Sequence, residues 1–474
     1  MQIPFVGGAY TGRSTNVNAQ TCINLFPEIN QQEAKVVLAL FGTPGLELFS
    51  TLSLDIGICV RALYECKGSL YAVLNATVYK ITSTGAVTSL GTITTSTGFV
   101  SIADNGTEIL IVDGTTSGYI ITVVSSVMAI IADADFPALS SVTFQDGYFI
   151  GIEKNTGKFY ISGLYLGTSW DALDFATAEG RPDNGLAVIS NTHDLWIFGE
   201  DSVEVLYDSG NVDFPFERIS GALIDVGCGA EATPVKINGL LYWLTNKGQV
   251  CRNQGYQQQF ISTPDIEYQI SKCTVTSDAV GFTYAVEGHQ FYVLVFPTDG
   301  KTLVFDTITN YWHEWQSYFS LTTPWGRHRA NCAVLLGRDW IVGDYNNGLL
   351  YKLKMDVYTD NLNSIRRQRA TPTVSKERVN VVYHSLEIEF EAGVGLSGGV
   401  QGEDPQAILD WSDDGGHTWS NQHWTSMGKI GEYKRRAIWR RLGASRNRVF
   451  RLTCSDPVKT VILGAYALVE ECGV

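Results

Sequence analysis

The chain has 474 residues, 45% apolar and 18% charged, which is enough apolar content for a sizeable core and too little charge for a disordered chain. The net charge of −15 is uneven: residues 1–360 hold 19 Lys and Arg against 36 Asp and Glu, net −17, whereas residues 361–474 hold 15 against 13, net +2. Such acidity excludes a general nucleic-acid coat, which needs a basic surface, and four Met without Ala/Glu/Lys/Leu-rich runs argue against a helical bundle.

Residues 1–50 are read as an extended segment that joins the domain after it. The opening Met1-Gln-Ile-Pro-Phe-Val-Gly-Gly lacks a basic and an apolar signal-peptide region, and no apolar run approaches the ~20 residues of a bilayer span. The expectation is a soluble protein made in the cytoplasm. Its nine cysteines show neither C-x-x-C nor zinc-like spacing, so reduced thiols without a metal are expected.

From residue 51 to 360 one pattern recurs: a turn with Gly or Asp, an aromatic or β-branched strand, a second turn and another such strand. The first case is Gly68-Ser-Leu-Tyr-Ala-Val-Leu followed by Thr77-Val-Tyr-Lys-Ile. Six more begin near 106, 147, 193, 239, 288 and 337, in steps of 38 to 49 residues. Strand-and-turn repeats of ~40–50 residues are the mark of propeller blades, which bury both faces of each small sheet. Leu303-Val-Phe-Asp-Thr-Ile-Thr-Asn-Tyr-Trp312 resembles the kelch blade signature. The fold predicted is all-β: a β-propeller of about seven blades, then a C-terminal β-sandwich. Residues 361–378, polar and basic with one Pro, are read as a linker or an extended crossing segment. The period-two alternation of Leu386-Glu-Ile-Glu-Phe-Glu391 opens the sandwich, assigned to residues 379–474.

Candidate chemistry is weak. Gly393-Val-Gly395-Leu-Ser397-Gly398-Gly399 fits both G-x-G-x-x-G and G-x-S-x-G, but no helix follows to hold a phosphate or expose a nucleophile. Ser412-Asp-Asp414-Gly-Gly416-His-Thr418-Trp419 matches the S-x-D-x-G-x-T-W Asp-box, a hairpin device built from Ser412, Asp414, Gly416, Thr418 and Trp419. One copy suits a structural turn better than a glycosidase. Asp133 with Asp135, and Glu403 with Asp404, are read as solvated loop carboxylates, and His328 as a surface-loop residue. No catalytic, cofactor or metal residue is assigned. The strongest charge feature lies between 434 and 451, where Lys434, Arg435, Arg436, Arg440, Arg441, Arg446, Arg448 and Arg451 are interleaved with aromatics. Guanidinium forks suit carboxylate or phosphate partners, so Arg435, Arg436, Arg440, Arg441, Arg446 and Arg448 are candidate contacts to an acidic protein, with a solvated, locally paired surface and direct DNA contact as the alternatives.

Two segments carry a resemblance. Ser14-Thr-Asn-Val-Asn-Ala-Gln-Thr-Cys-Ile-Asn-Leu-Phe-Pro-Glu28, continuing to Leu40-Phe-Gly-Thr-Pro-Gly-Leu46, resembles the N-terminal signature of podovirus tail hub proteins. These are also called tail accessory factors or packaged DNA stabilisation proteins. Trp439-Arg-Arg-Leu-Gly443 with Arg446-Asn-Arg-Val-Phe-Arg451 resembles their C-terminal region. The resemblance implies a non-enzymatic protein of the virion tail, assembled in the host cytoplasm, hexameric, without cofactor or membrane. It would sit below the portal and tail adaptor, close and extend the DNA channel, and offer surfaces to a tail needle or tailspikes until DNA ejection. DNA would pass through without tight binding. The alternative is a carbohydrate-binding or glycosidase-like propeller.

Overall fold

The computed structural model describes residues 1–30, 35–178, 180–211, 214–320, 322, 324–377 and 379–472. Seven antiparallel blades follow one another around an axis. The first consists of Val60–Cys66, Ser69–Leu74, Thr77–Ile81 and Val87–Thr92. The next four begin at Ser101–Asp104, Leu139–Gln145, Gly185–Asn191 and Val235–Ile237, and each adds three strands in sequence order. The sixth is Val280–Val286, His289–Phe296, Lys301–Asp306 and Trp312–Glu314. The seventh has Ala330–Leu336, Asp339–Asp344 and Asn347–Lys354, and borrows its outer strand, Gly45–Ile56, from the N-terminal region. That borrowed strand ties the two ends of the ring together. One short helix, Pro264–Ile270, links the fifth and sixth blades; no helix among the described residues is long and apolar enough to cross a membrane.

The packing explains why the second strand of each blade is apolar throughout. In a strand, successive side chains point to opposite faces, and a blade has a neighbour on each side. Tyr71 and Val73 pack with Ile109 and Ile111 of the second blade, whereas Leu70, Ala72 and Leu74 pack with Ile341 and Leu350 of the seventh. Leu110 and Val112 turn the other way, onto Leu139 and Phe149 of the third. The same division repeats at every interface, so seven apolar clusters close the ring. Tight turns hold the hairpins: the positions before Ser69, Tyr148 and Leu240 are Gly68, Gly147 and Gly239, with φ of +76°, +95° and +79°.

One expectation about segment roles is extended and one is corrected. Residues 1–50 do join the propeller, through the strand from Gly45 and through Thr21–Ile23, but they also reach the sandwich. Thr21–Ile23 pairs on one side with Trp312–Glu314 and on the other with Arg367–Ala370, so one sheet runs from the sixth blade into the sandwich. Leu25–Ile29 and Leu38–Gly42 extend the second sandwich sheet, beside Val461–Glu471, Val381–Phe390 and Ala437–Arg440. Of the two readings of residues 361–378, the linker is corrected in favour of the extended crossing segment. Arg367–Ala370 is an internal strand of the shared sheet, paired with Asn447–Cys454, and Arg367 and Arg369 are each 1% exposed. Arg369 is received there by backbone carbonyls, donating to those of Phe5 (2.7 Å), Gly8 (3.0 Å) and Thr21, and to Oε1 of Gln20, whereas the guanidinium of Arg367 finds no acceptor among the described residues. Arg378, assigned to the same linker, lies outside the described residues, as do residues 473–474 of the sandwich.

Asn24 clamps the junction. It sits at φ +53°, a conformation Asn tolerates, and is 1% exposed. Its amide donates to the carbonyls of Gln316 (2.9 Å) and Arg366 (2.8 Å), and its oxygen accepts from the Gln316 N–H (2.9 Å). Three segments, from the N-terminal region, the propeller and the sandwich, meet on this side chain.

Candidate partner-binding surface

The arginine-rich region occupies one side of the sandwich, where an edge strand of each sheet lies open. Ala437–Arg440 pairs only with Val381–Phe390, and His423–Ser426 only with Gln406–Ser412. The two edges are joined by the Trp439 indole N–H, which donates to the His423 carbonyl at 2.8 Å, and the His423 ring stacks on Trp411 of its own sheet at 4.8 Å. Period two decides what each residue of the edge strand does. Ala437 and Trp439 enter the core, while Ile438 and Arg440 face outward.

The six arginines proposed as contacts separate into three groups. Arg435, Arg440, Arg441 and Arg446 are exposed and have no carboxylate within salt-bridge range among the described residues. Arg436 is exposed but forked onto both oxygens of Glu387. Arg448 is corrected: it is 1% exposed and no surface residue at all. Its Nε and Nη2 donate to Asp413 at 2.6 and 2.8 Å, its Nη1 to the Leu442 carbonyl at 2.6 Å, and Tyr383, Trp411 and Phe450 surround its guanidinium. Arg451 likewise forks onto Asp410 and lies 3.7 Å from the Trp419 ring centroid. Inward-facing arginines have the same composition signal as outward-facing ones, so the sequence alone did not separate them. Of the aromatics interleaved with the arginines, Tyr433 is exposed; the sequence reading missed two further exposed apolar side chains, Trp424 (60% exposed) and Ile430. They follow no period, and single exposed apolars carry no signal in a sequence.

The Asp-box folds a turn. Asp414 accepts from the amides of His417 and Thr418 and from the hydroxyls of Ser412 and Thr418, both at 2.6 Å. Those bonds, Ser412 first, hold its carboxyl well below the usual carboxylate range. Gly416 supplies φ +95°, and Trp419 packs beneath. A Cβ on Gly416 would come within 3.1 Å of the Ala19 side chain, and Thr15 Oγ1 lies 3.3 Å from the His417 ring, so the turn seats the N-terminal segment.

The other candidate residues, Ser397, the Asp133/Asp135 and Glu403/Asp404 pairs and His328, are not brought together in one site. Ser397 is exposed in a glycine-rich loop with no helix after it. Asp133 caps the Trp170 and Asp135 amides, and Glu403 pairs with Lys429. His328 is corrected from a surface loop to a buried ring, 4.3 Å from Trp315, whose burial pushes its pKa down to about 3. The described residues hold no group of three or more His, Cys, Asp or Glu placed to bind a metal, and all nine cysteines are free thiols.

Two family models match the chain: one described as bacteriophage P22 Gp10, beta-propeller, over residues 1–358, and one as bacteriophage P22 Gp10, beta-sandwich, over residues 366–470. Among solved structures, the WD40 propeller domain of Doa1 aligns at a TM-score of 0.43 with 12% identity, covering 66% of this chain and 97% of that one. BamB from Moraxella catarrhalis aligns at 0.40 with 12% identity, covering 65% and 97%. The computationally designed Ika8 protein aligns at 0.41 with 10% identity, covering 65% and 100%. No curated protein sequence matches the chain.

Proposed function

The chain belongs to the bacteriophage P22 Gp10 family and is a phage structural tail protein; from that premise we propose that it closes and extends the channel below the portal and tail adaptor, retains packaged DNA there as one of six copies, and presents surfaces to a tail needle or tailspikes. The observation that carries the reading is the split of charge between its two parts. Residues 1–360 hold net −17, while four unpaired arginines and three exposed apolar side chains cluster on the open edges of the sandwich. Arginine and aromatic side chains together are the composition of protein-binding hot spots. Unpaired guanidinium groups favour an acidic protein surface, and edge strands offer backbone groups for a partner to meet. Retention then comes from protein contacts that block the channel, with no need for tight binding of DNA.

Substituting Arg440→Glu together with Arg441→Glu tests this. Both side chains are exposed and unpaired, so the isolated protein should keep its thermal stability. Particles assembled with it should lose the protein and leak DNA. Normal incorporation and full DNA retention with the double variant would reject the arginine edge as the docking surface.

A further inference from the structure

The propeller axis contains a cavity of about 870 Å³, lined by the innermost strands and by the loops that enter them. Its size is that of a small-ligand site, and its walls combine apolar and aromatic side chains with a few charged ones. The charge of those walls runs against the charge of the domain. Arg61, Lys236 and Arg327 face it with only Glu231 and Asp278 opposite, in a region of net −17.

These groups are not equivalent. Arg61 is fully employed: it donates to the carbonyls of Asn75, Thr95, Thr97 and Gly98, and so braces the wall. Lys236 is exposed. Arg327 is 4% exposed, holds its guanidinium carbon over the Tyr345 ring 4.1 Å from the centroid, and donates from Nη2 to Oδ1 of Asn331 at 2.8 Å. Its Nε is buried without an acceptor among the described residues. Asp278 accepts from the Thr298 amide and hydroxyl through Oδ2, while Oδ1 is buried without a donor. The cavity lining therefore includes a cationic donor and an anionic acceptor, each with one atom that has no partner among the described residues. Buried polar groups are paired in the great majority of cases, because an unpaired one destabilises the fold. Burial pushes the Arg327 guanidinium down to about 10, still fully charged near neutrality.

We propose that this axial cavity is a binding site for a small oxyanion that also carries an O–H, of the hydrogen phosphate or hydroxycarboxylate class, its oxygens on Arg327 and its hydroxyl on Asp278. The guanidinium fork matches two oxygens of such a group, and the stacked Tyr345 fixes the plane of the fork. The O–H separates this class from a fully deprotonated oxyanion, which would face Asp278 with no proton to share. The site is independent of the sandwich edge and of any tail partner.

Thermal unfolding of the full-length protein in rising inorganic phosphate, and separately in citrate, at constant ionic strength, tests it. Both salts stabilise any fold by exclusion from its surface, so the informative quantity is the difference between variants. The wild type should show a rise in midpoint that follows the logarithm of ligand concentration above a dissociation constant with at least one of the two, and calorimetric titration should give one site per chain. Which salt binds identifies the source of the oxyanion. Arg327→Met should abolish that component, and Arg327→Lys, which keeps the charge in the same place, should weaken it at least tenfold while remaining folded. Asp278→Asn should weaken it as well. If neither salt gives a saturable component with the wild type, or if Arg327→Lys and Arg327→Met match it, water fills the cavity and the proposal fails.

Discussion

His289 lies against Asp306 with Nδ1 and Oδ2 2.7 Å apart, and both are buried. The groups around them are Glu28, 4.0 Å from the other ring nitrogen, Glu287, the buried neutral His313 and Tyr284. The bond to Asp306, working against burial, raises His289 above its ordinary 6.5. Burial pushes Asp306 up, but bonds from His289, the Ile308 amide and the Thr309 hydroxyl together hold it below its ordinary 3.8. A histidine raised in the folded state stabilises fully below pH 6.5, and that contribution disappears as pH rises through its folded value. A depressed aspartate stabilises above pH 3.8, and its contribution disappears as pH falls through its folded value. The pair therefore supports the sixth blade most between about pH 3.8 and 6.5. The stability difference between wild type and His289→Gln, measured by urea unfolding, should be largest in that window and shrink on both sides. A difference that grew steadily toward pH 9 would contradict the charged pair.

At the scale of elements, what the sequence made legible was whatever repeats with the backbone period. Gly68, Gly147 and Gly239 marked hairpins, and the apolar second strands marked blades, because both follow from local turn chemistry and from burial on two faces. The fourth strands were invisible. Val87–Thr92 is polar and largely exposed, so nothing distinguishes it from a loop until it pairs with Thr77–Ile81. The borrowed strand from Gly45 and the buried strand at Arg367 were missed for a different reason: partners more than 290 residues away decide their burial. The arginine edge was half legible for the same reason, since Arg448 and Arg440 differ only in which face of a strand they occupy. The blade packing itself makes a sharp prediction. Leu110 and Ile111 are adjacent and both 0% exposed, yet they fill different inter-blade clusters. Leu110→Ala and Ile111→Ala should each destabilise by about 2–5 kcal/mol in denaturant unfolding. Val87→Ala, on an outer strand, should stay within about 0.5 kcal/mol. A small effect of either inner substitution would mean that one face of the second strand is not packed.

At the scale of the molecule, the charge split bears on the proposed retention of DNA. A duplex carries one charge per ~1.7 Å, and a region of net −17 repels it at every approach that is not screened. In the conduit we propose, that is useful: an acidic surface leaves the DNA unattached, so it can leave when the block is removed. At the sandwich edge, five exposed, unpaired cations, Lys434, Arg435, Arg440, Arg441 and Arg446, are free to meet phosphates. Each phosphate neutralised adds about −0.9 to the slope of log affinity against log salt, so these five allow a slope no steeper than about −4.5 at this edge. Affinity carried by so few contacts falls away at moderate ionic strength. The isolated protein should therefore show no sub-micromolar binding to duplex DNA at ~0.15 M salt, and any binding at ~0.02 M should weaken with a slope at or below that limit. Arg440→Glu with Arg441→Glu should reduce the low-salt slope by about two contacts. Sub-micromolar binding at ~0.15 M, lost in the double variant while its docking to the virion is unchanged, would move the arginines from a protein partner to the DNA and make retention a matter of grip.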